Sequence, residues 1–117
     1  MRGGQNAGSK PSIAVVVNCY QQSHLVHQTI DSVLAQTEPP AEIIVVDAGS
    51  SDGTSGVLDR YRDRLVSVQQ PNRGQAAAFR VGLERTSSEV VLFLDGDDQL
   101  APTALAALTP VWTAPEV

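Results

Sequence analysis

The sequence predicts an α/β domain built on a parallel sheet. Short apolar and β-branched runs recur along the chain, and most contain no polar residue. One of these runs alternates apolar and polar residues. The runs are followed by segments whose apolar residues repeat at helical spacing. Strands covered on both faces show such continuous apolar runs. Alternating strands and helices favour right-handed crossovers, with helices on both faces of the sheet.

The first strand and helix follow a polar start. Residues 1–11 show no periodicity, so we expect a flexible tail there. The run Ile13-Ala14-Val15-Val16-Val17 predicts the first strand. Apolar residues at helical spacing predict a helix from about Ser23 to Gln36, which Pro39-Pro40 would end.

The alternation then repeats through the middle of the chain. Ile43-Ile44-Val45-Val46 predicts a second buried strand. The second helical stripe consists of Val57, Leu58, Tyr61 and Leu65. The run Leu65-Val66-Ser67-Val68-Gln69 alternates, as half-covered strands do, so we place it at a sheet edge.

The last elements complete the predicted domain, which spans residues 12–109. A helix from Gln75 to Thr86 would place Ala76, Phe79 and Leu83 on one helical face, and Val90-Val91-Leu92-Phe93-Leu94 predicts the fourth strand. Pro102 suits the first turn of a last helix, through Leu108, that Pro110 would terminate. Residues 110–117 would form a C-terminal tail.

The expected strand order, 3-2-1-4, places a ligand site. The chain reverses direction between strands 1 and 4, and open α/β sheets bind ligands beyond the carboxyl ends of the strands at that reversal. The loop after strand 1 contains Asn18, Cys19 and Tyr20, and the loop after strand 4 contains Asp95 to Asp98. We expect these loops to flank one crevice.

Composition argues against some classes of function. A chain of 117 residues suits one domain, and a net charge of -5 with 4% aromatic residues argues against a general nucleic-acid binder. Six of its eight cations lie between Arg60 and Arg85, where an anionic ligand could meet a positive wall. The sequence has no signal-peptide core and no long apolar span, which favours a cytoplasmic location, with attachment to a membrane surface left open.

The loop Asp95-Gly96-Asp97-Asp98 carries the strongest chemical signal. Three carboxylates within four residues repel one another unless a cation neutralises them. Their oxygens suit Mg²⁺ or Mn²⁺, which also bind substrate phosphates. The alternative is a solvated turn in which Asp97 or Asp98 caps the last helix.

Other polar residues have structural interpretations beside, or instead of, functional ones. Asp47 follows strand 2, where it could contact a sugar hydroxyl or base edge, or could close an Asx-turn over Asp47-Ala48-Gly49-Ser50. Asp52 precedes a helical stripe and is predicted to be its N-cap. Cys19 is predicted to be a small apolar strand-end residue. His24 and His27, with Gln21, Gln22, Ser23 and Gln28 around them, are predicted to lie on a solvated helix face.

Three segments together carry a resemblance to a known family. They are Val45-Val46-Asp47-Ala48-Gly49-Ser50-Ser51-Asp52-Gly53-Thr54, Asn72-Arg73-Gly74-Gln75-Ala76-Ala77-Ala78 and Phe93-Leu94-Asp95-Gly96-Asp97-Asp98. In this order and spacing they resemble the family 2 glycosyltransferases, over nearly everything from Ser12 to Leu108. The resemblance implies the N-terminal, nucleotide-sugar-binding half of a GT-A fold, a Rossmann-like α/β architecture.

The resemblance also implies roles for individual residues. Asp47 would contact the nucleoside, Asp95 the ribose or donor sugar, and Asp97 the metal, Mg²⁺ or Mn²⁺. The residues implied to contact the nucleotide sugar are Asn18, Tyr20, Asp47, Arg80, Asp95 and Gly96. The partner would be a nucleotide diphosphate sugar, and the sugar would pass to an acceptor hydroxyl of a saccharide, lipid or protein.

The chain departs from the family pattern at three places. Ala48 stands where relatives commonly have a second Asp in the nucleoside turn. Arg80 comes one position later than the family's arginine, and it either reaches the diphosphate or faces solvent. The family's acceptor site and catalytic base come from a following segment that this chain lacks, so no base is assigned here. Strand 4 would then lie at an open edge, which another segment or a second copy in a homodimer would cover.

Three functional hypotheses follow, led by the donor half of an inverting, metal-dependent glycosyltransferase. The second is a non-catalytic, truncated nucleotide-binding module. The third is a flavodoxin-like receiver whose acidic loop takes a phosphate. Receivers cluster acidic residues after strands 1 and 3, whereas strand 1 here runs into Asn18-Cys19-Tyr20, so the third fits least well.

Overall fold

A computed structural model describes residues 11–108 of the chain. Its strands and helices follow the predicted alternation, in the order β1 (Ile13–Cys19), α1 (Val26–Leu34), β2 (Glu42–Asp47), α2 (Thr54–Asp59), β3 (Val66–Gln69), α3 (Gln75–Arg85) and β4 (Val90–Asp95). The predicted tails lie outside the described residues except for Pro11, which is buried.

The four strands form one parallel sheet in the order β3-β2-β1-β4, which confirms the predicted topology. Strand β1 is central, and its residues Ile13 to Val17 are almost completely buried. Strand β3 lies at one edge, as its alternating sequence predicted. The switch point therefore lies between β1 and β4.

Helices cover both faces of the sheet, again as predicted. On one face, Val15 and Val17 of β1 pack with Ile30 of α1 and Leu58 of α2. On the other face, the core contains Val16, Ile44, Val46 and Ala78 of α3. Successive side chains of a strand point to opposite faces, so one continuous apolar run supplies both cores.

The predicted apolar stripe of α3 is only partly buried. Phe79 packs against the core on this face and on the ring of Phe93 of β4, with ring centroids 4.5 Å apart, whereas Ala76 and Leu83 are exposed. The buried residues of the helix are Ala78 and Gly82. Helix α3 lies so close to the sheet that a Cβ built on Gly82 would stand 2.3 Å from Cγ1 of Val16, so small residues form the closest contact.

Three strands continue into residues that the sequence assigned to loops. Asn18 and Cys19 end β1, Asp47 ends β2 and Asp95 ends β4, because each pairs in register with its neighbouring strand. The polar ends of the strands are thus held in the sheet.

The helices differ from prediction mainly at their ends. Helix α1 begins at Val26 rather than near Ser23, and ends at Leu34 rather than Gln36. Successive turns occupy residues 102–107, where a last helix was expected from Pro102, and the predicted stop at Pro110 lies outside the described residues. Within residues 11–108, no helix has the length and apolarity needed to cross a bilayer.

We predict that Gly82→Ala destabilises the domain by about 1–3 kcal/mol, because the added methyl group must displace Val16 or lift α3 from the sheet. Urea unfolding measures the change. The control is Gly56→Ala in α2, where a Cβ would meet nothing within 4 Å. It should raise the free energy of unfolding by about 0.5–1 kcal/mol through helix propensity. Equal effects of the two substitutions would contradict the close-packing argument.

Candidate functional site

The candidate site lies at the carboxyl ends of β1, β2 and β4. The turns after β2 and β4 are both joined to the last residues of β1 by backbone hydrogen bonds. Ala48 N donates to Cys19 O at 2.9 Å, and Gly96 N donates to Asn18 O at 2.8 Å. The turns after β2 and β4 are therefore held on either side of the end of β1, as the strand order required.

The acidic loop brings three carboxylates together, but they differ in their contacts. Asp95 Oδ1 accepts a hydrogen bond from Gln75 Nε2 at 2.6 Å, across to the start of α3. Asp98 Oδ2 accepts one from the backbone N of Asp95 at 3.3 Å. Within residues 11–108, Asp97 is exposed and makes no hydrogen bond or ion pair. Asp98 therefore closes its own turn rather than capping a later helix within residues 11–108, and the carboxylate of Asp97 has no partner among them.

The same three residues fit a hard cation. Each offers a carboxylate oxygen, and these oxygens lie within 4.8 Å of one another. Ligands about 2.1 Å from one octahedral ion stand at most about 4.2 Å apart, so a small side-chain rotation would let the oxygens share an ion. Oxygen donors of this kind suit Mg²⁺ or Mn²⁺. His24 and His27 are not part of this cluster, and His24 lies in the turn before α1.

The packing behind the acidic loop leaves no room for a side chain at Gly96. A Cβ at this position would stand 2.7 Å from Cβ of Cys19 and 2.5 Å from Oε1 of Gln22. Gln22 Oε1 also accepts a hydrogen bond from the backbone N of Tyr20, at 3.1 Å. Gly96 therefore lets the acidic loop pack directly against the end of β1.

Asp47 is buried at the end of β2, with 2% of its surface exposed. Its Oδ1 accepts a hydrogen bond from the backbone N of Ser50 at 3.0 Å, so the carboxylate stabilises its own turn. The turn interpretation of Asp47 is thus observed, and contact with a nucleoside stays a prediction. The neighbouring Ala48 is also buried, at 4% exposure.

Gln21 joins the loop after β1 to the turn after β2, which the sequence did not indicate. Its backbone N donates to Ser50 Oγ at 2.8 Å, and its side-chain Oε1 accepts from Ser51 N at 2.7 Å. Gln21 has a positive φ of 53°, a rare conformation for a residue other than glycine. No sequence signal predicts this clamp, because it depends on two loops that meet only in the folded chain.

Asp52 binds neighbouring residues rather than forming the predicted N-cap, a position that Gly53 occupies. Its Oδ1 accepts hydrogen bonds from the hydroxyl and backbone N of Thr54, at 2.5 and 3.2 Å, and its Oδ2 accepts from Ser23 N at 3.0 Å. These donors stabilise the carboxylate and lower the pKa of Asp52 to about 2, with Thr54 as the largest cause. Because α1 begins only at Val26, the segment before it contains Gln21, Gln22 and Ser23, which were predicted to lie on its solvated face.

Gln36 holds the segment that follows the acidic loop, and this role was also missed. Its Nε2 donates to Ala101 O at 2.6 Å, and its Oε1 accepts from Leu105 N at 2.9 Å. Ser32 Oγ adds a further contact by accepting from Leu100 N at 3.0 Å. Residues 100–105 are thereby fixed against the end of α1.

The remaining predicted site residues differ in exposure. Tyr20 is 47% exposed and Asn18 is half-buried, whereas Arg80 is exposed on α3 and its guanidinium group makes no hydrogen bond or ion pair within the described part of the chain. Cys19 is buried, and burial together with Asp47 and Asp52 raises the pKa of its thiol to about 12. The thiol is therefore a small core group, as expected.

This open parallel sheet, with an acidic turn at its switch point, defines a protein of the GT-A class. Residues 14–117 match the family model of Glycosyl transferase family 2. The chain belongs to this family, which confirms the resemblance found in the sequence.

Known proteins that resemble the chain agree with this assignment. An uncharacterized glycosyltransferase of Nostoc sp. is 35% identical over 109 residues, which cover 90% of this chain and 34% of the relative. A mannosyltransferase from Pyrobaculum calidifontis, in complex with GDP-Man and Mn²⁺, superposes with a TM-score of 0.79 and 27% identity over 93% of this chain and 34% of that one.

A third similar protein is S. aureus TarS 1-349 in complex with UDP-GlcNAc. It superposes with a TM-score of 0.76 and 27% identity, and the match covers 83% of this chain and 30% of that one. The chain thus spans about a third of the length of these relatives.

We predict that the carboxyl group of Asp52 titrates with a midpoint of about 2, below its usual 3.8. Because the folded-state pKa is depressed, the stabilisation by this carboxylate is present above pH 3.8 and is lost as the pH falls through about 2. Side-chain carbon NMR against pH measures the midpoint. Thr54→Val removes the main donor and should raise that midpoint. An unchanged midpoint in this variant would show that the hydroxyl contact is unimportant.

Proposed function

We propose that this chain binds a nucleotide diphosphate sugar through Mg²⁺ or Mn²⁺, as the donor-binding half of an inverting glycosyltransferase. One observation carries the proposal. Of the three clustered carboxylates, only Asp97 makes no hydrogen bond within the described residues, and it stands at the switch point of the sheet. A carboxylate without a partner beside two others is suited to a cation, and a bound cation attracts a diphosphate.

The structural relatives support the ligand class. One was solved with GDP-Man and Mn²⁺ and another with UDP-GlcNAc, so both hold a sugar joined to a nucleoside diphosphate. Their bases and sugars differ, and what they share is the diphosphate. We therefore propose the diphosphate as the common element, with a metal as in the Pyrobaculum calidifontis protein, and leave the base and sugar open.

The proposed roles follow the positions of the residues. Asn18 and Tyr20 would contact the base, and Asp47 would contact the nucleoside through Oδ2, since its Oδ1 is held by Ser50. Asp95 and Gly96 would border the ribose or donor sugar. We propose Arg80 as a candidate contact of the diphosphate. Because Arg80 is exposed on α3, the alternative that its side chain faces solvent stays open.

The cation on Asp97 would supply charge stabilisation for the departing nucleoside diphosphate. Asp95 would orient the donor, with Gln75 fixing one of its oxygens. Inversion requires in-line attack by an acceptor hydroxyl and a carboxylate base. We place that base outside this chain, and the acceptor, whether saccharide, lipid or protein, remains open.

Calorimetric titration of nucleoside diphosphates, with and without Mn²⁺, tests the proposal. Asp97→Ala should weaken the Mn²⁺-dependent affinity at least about tenfold, equal to about 1.4 kcal/mol, because it removes the free ligand oxygen. Asp59→Ala removes the same charge from an exposed position on α2 and should leave the affinity unchanged. If Asp97→Ala binds as tightly as the wild type, the metal assignment is wrong.

A non-catalytic nucleotide-binding module is the second candidate, because the chain spans about a third of its relatives. The same samples distinguish the two functions. An enzyme should slowly release free sugar from the bound donor in the presence of Mn²⁺, whereas a module should bind the donor and release none.

Strand β4 is a sheet edge, and Phe93 on it is 41% exposed. We propose that this edge pairs with further polypeptide, either a second copy or another segment of a longer chain. For a homodimer, light scattering should show a mass that rises towards twice the monomer mass with concentration. A constant monomer mass would exclude self-association. A cytoplasmic or membrane-surface location stays a prediction.

A further inference from the structure

A groove lies at the opposite end of the sheet from the acidic loop. It encloses about 480 Å³, a size typical of small-ligand sites. Its lining consists of Ala41, Glu42, Ile43, Ile44, Arg62, Asp63, Arg64, Leu65, Val66 and Arg85. Glu42 and Val66 begin β2 and β3, whereas Asp47 ends β2 on the donor side. Six strand residues separate these two ends by roughly 16 Å, so the groove is a separate place.

The floor of the groove includes the exposed side chain of Val66, which begins the edge strand β3. Helix α3 packs on β1 and β2. Ile44 and Val66 are paired in register, and Val66 remains 52% exposed. A ligand seated here would therefore cover apolar surface that the domain itself leaves open to water.

Arginines surround this floor. Arg62 and Arg64 come from the turn before β3, and Arg85 comes from the last turn of α3. Within residues 11–108, none of these guanidinium groups forms an ion pair or a side-chain hydrogen bond. Three permanent positive charges thus converge without partners in a chain whose net charge is -5.

The two acidic residues of the groove oppose these charges only in part. Glu42 Oε1 accepts hydrogen bonds from the hydroxyls of Thr86 and Ser88, and the pKa of Glu42 is lowered by them. Its carboxylate is thereby satisfied by the loop after α3. Asp63 is exposed and carries the other negative charge. The arginines still exceed the carboxylates by one, which favours an anionic ligand.

We propose that this groove binds a small, soluble, phosphate-bearing molecule at a site separate from the donor crevice. Guanidinium groups bind phosphate oxygens in pairs, and the apolar floor suits an organic portion of the ligand. The concave shape favours a small molecule over a membrane, because a membrane surface is contacted by protruding side chains. Three of the six cations between Arg60 and Arg85, the stretch in which the sequence suggested a positive wall for an anionic ligand, line this groove.

Amide NMR of the full chain, titrated with inorganic pyrophosphate in the presence of a metal chelator, tests the proposal. The titration is done in the Asp97→Ala variant, which lacks the proposed metal ligand. Binding of pyrophosphate to this variant therefore does not depend on the donor site. We expect saturable shift changes centred on residues 62–66 and 85. The double variant Arg64→Gln and Arg85→Gln should weaken the binding about tenfold or more.

Arg60→Gln is the matched control, since it removes one charge from the same turn but lies outside the groove lining. It should leave the affinity within about twofold of the wild type. Arg62→Gln provides a second groove variant if the double variant is unstable. The proposal is overturned if no shift occurs at residues 62–66, or if Arg60→Gln weakens binding as much as the groove variants. Binding to phosphatidylglycerol vesicles without binding to pyrophosphate would also overturn it, in favour of a membrane contact.

Discussion

The carbonyl oxygens of Asn18 and Cys19 hold the site together. One accepts a hydrogen bond from Gly96 N and the other from Ala48 N, so the final two residues of the central strand fix the turns on both sides of it. Buried backbone groups must be paired, and here the pairing also positions the acidic loop. The placement of these two turns is therefore a property of the sheet core.

That core explains why the fold could be predicted from the sequence. The continuous apolar runs that became β1 and β2 are buried on both faces of the sheet, as such runs predict, whereas the equally apolar run of β4 forms an edge whose residues are mostly half-buried. The alternating run at Val66 to Gln69 marked the other edge. Strand order then followed from crossover handedness, and it placed Asp95 and Asn18 side by side, as their register shows.

The errors arose where long-range packing decided the outcome. The spacing of Ala76, Phe79 and Leu83 fits a helical stripe, but the close approach at Gly82 selects small residues for the inner face. Helical spacing identifies a stripe, whereas the distance between helix and sheet determines which stripe is buried. Gln21 and Gln36 were missed because their partners lie about 30 and 65 residues away along the chain. The acidic loop was found because its signal is local.

The packing behind Gly96 also bears on which ions the acidic loop can select. Cys19 lies directly beneath that glycine, and its thiol stays protonated at neutral pH. The buried sulfur takes up the space behind the loop and is not among the three clustered carboxylates. The side chains that the loop presents therefore offer oxygen donors, the type that hard divalent cations prefer over thiophilic ones.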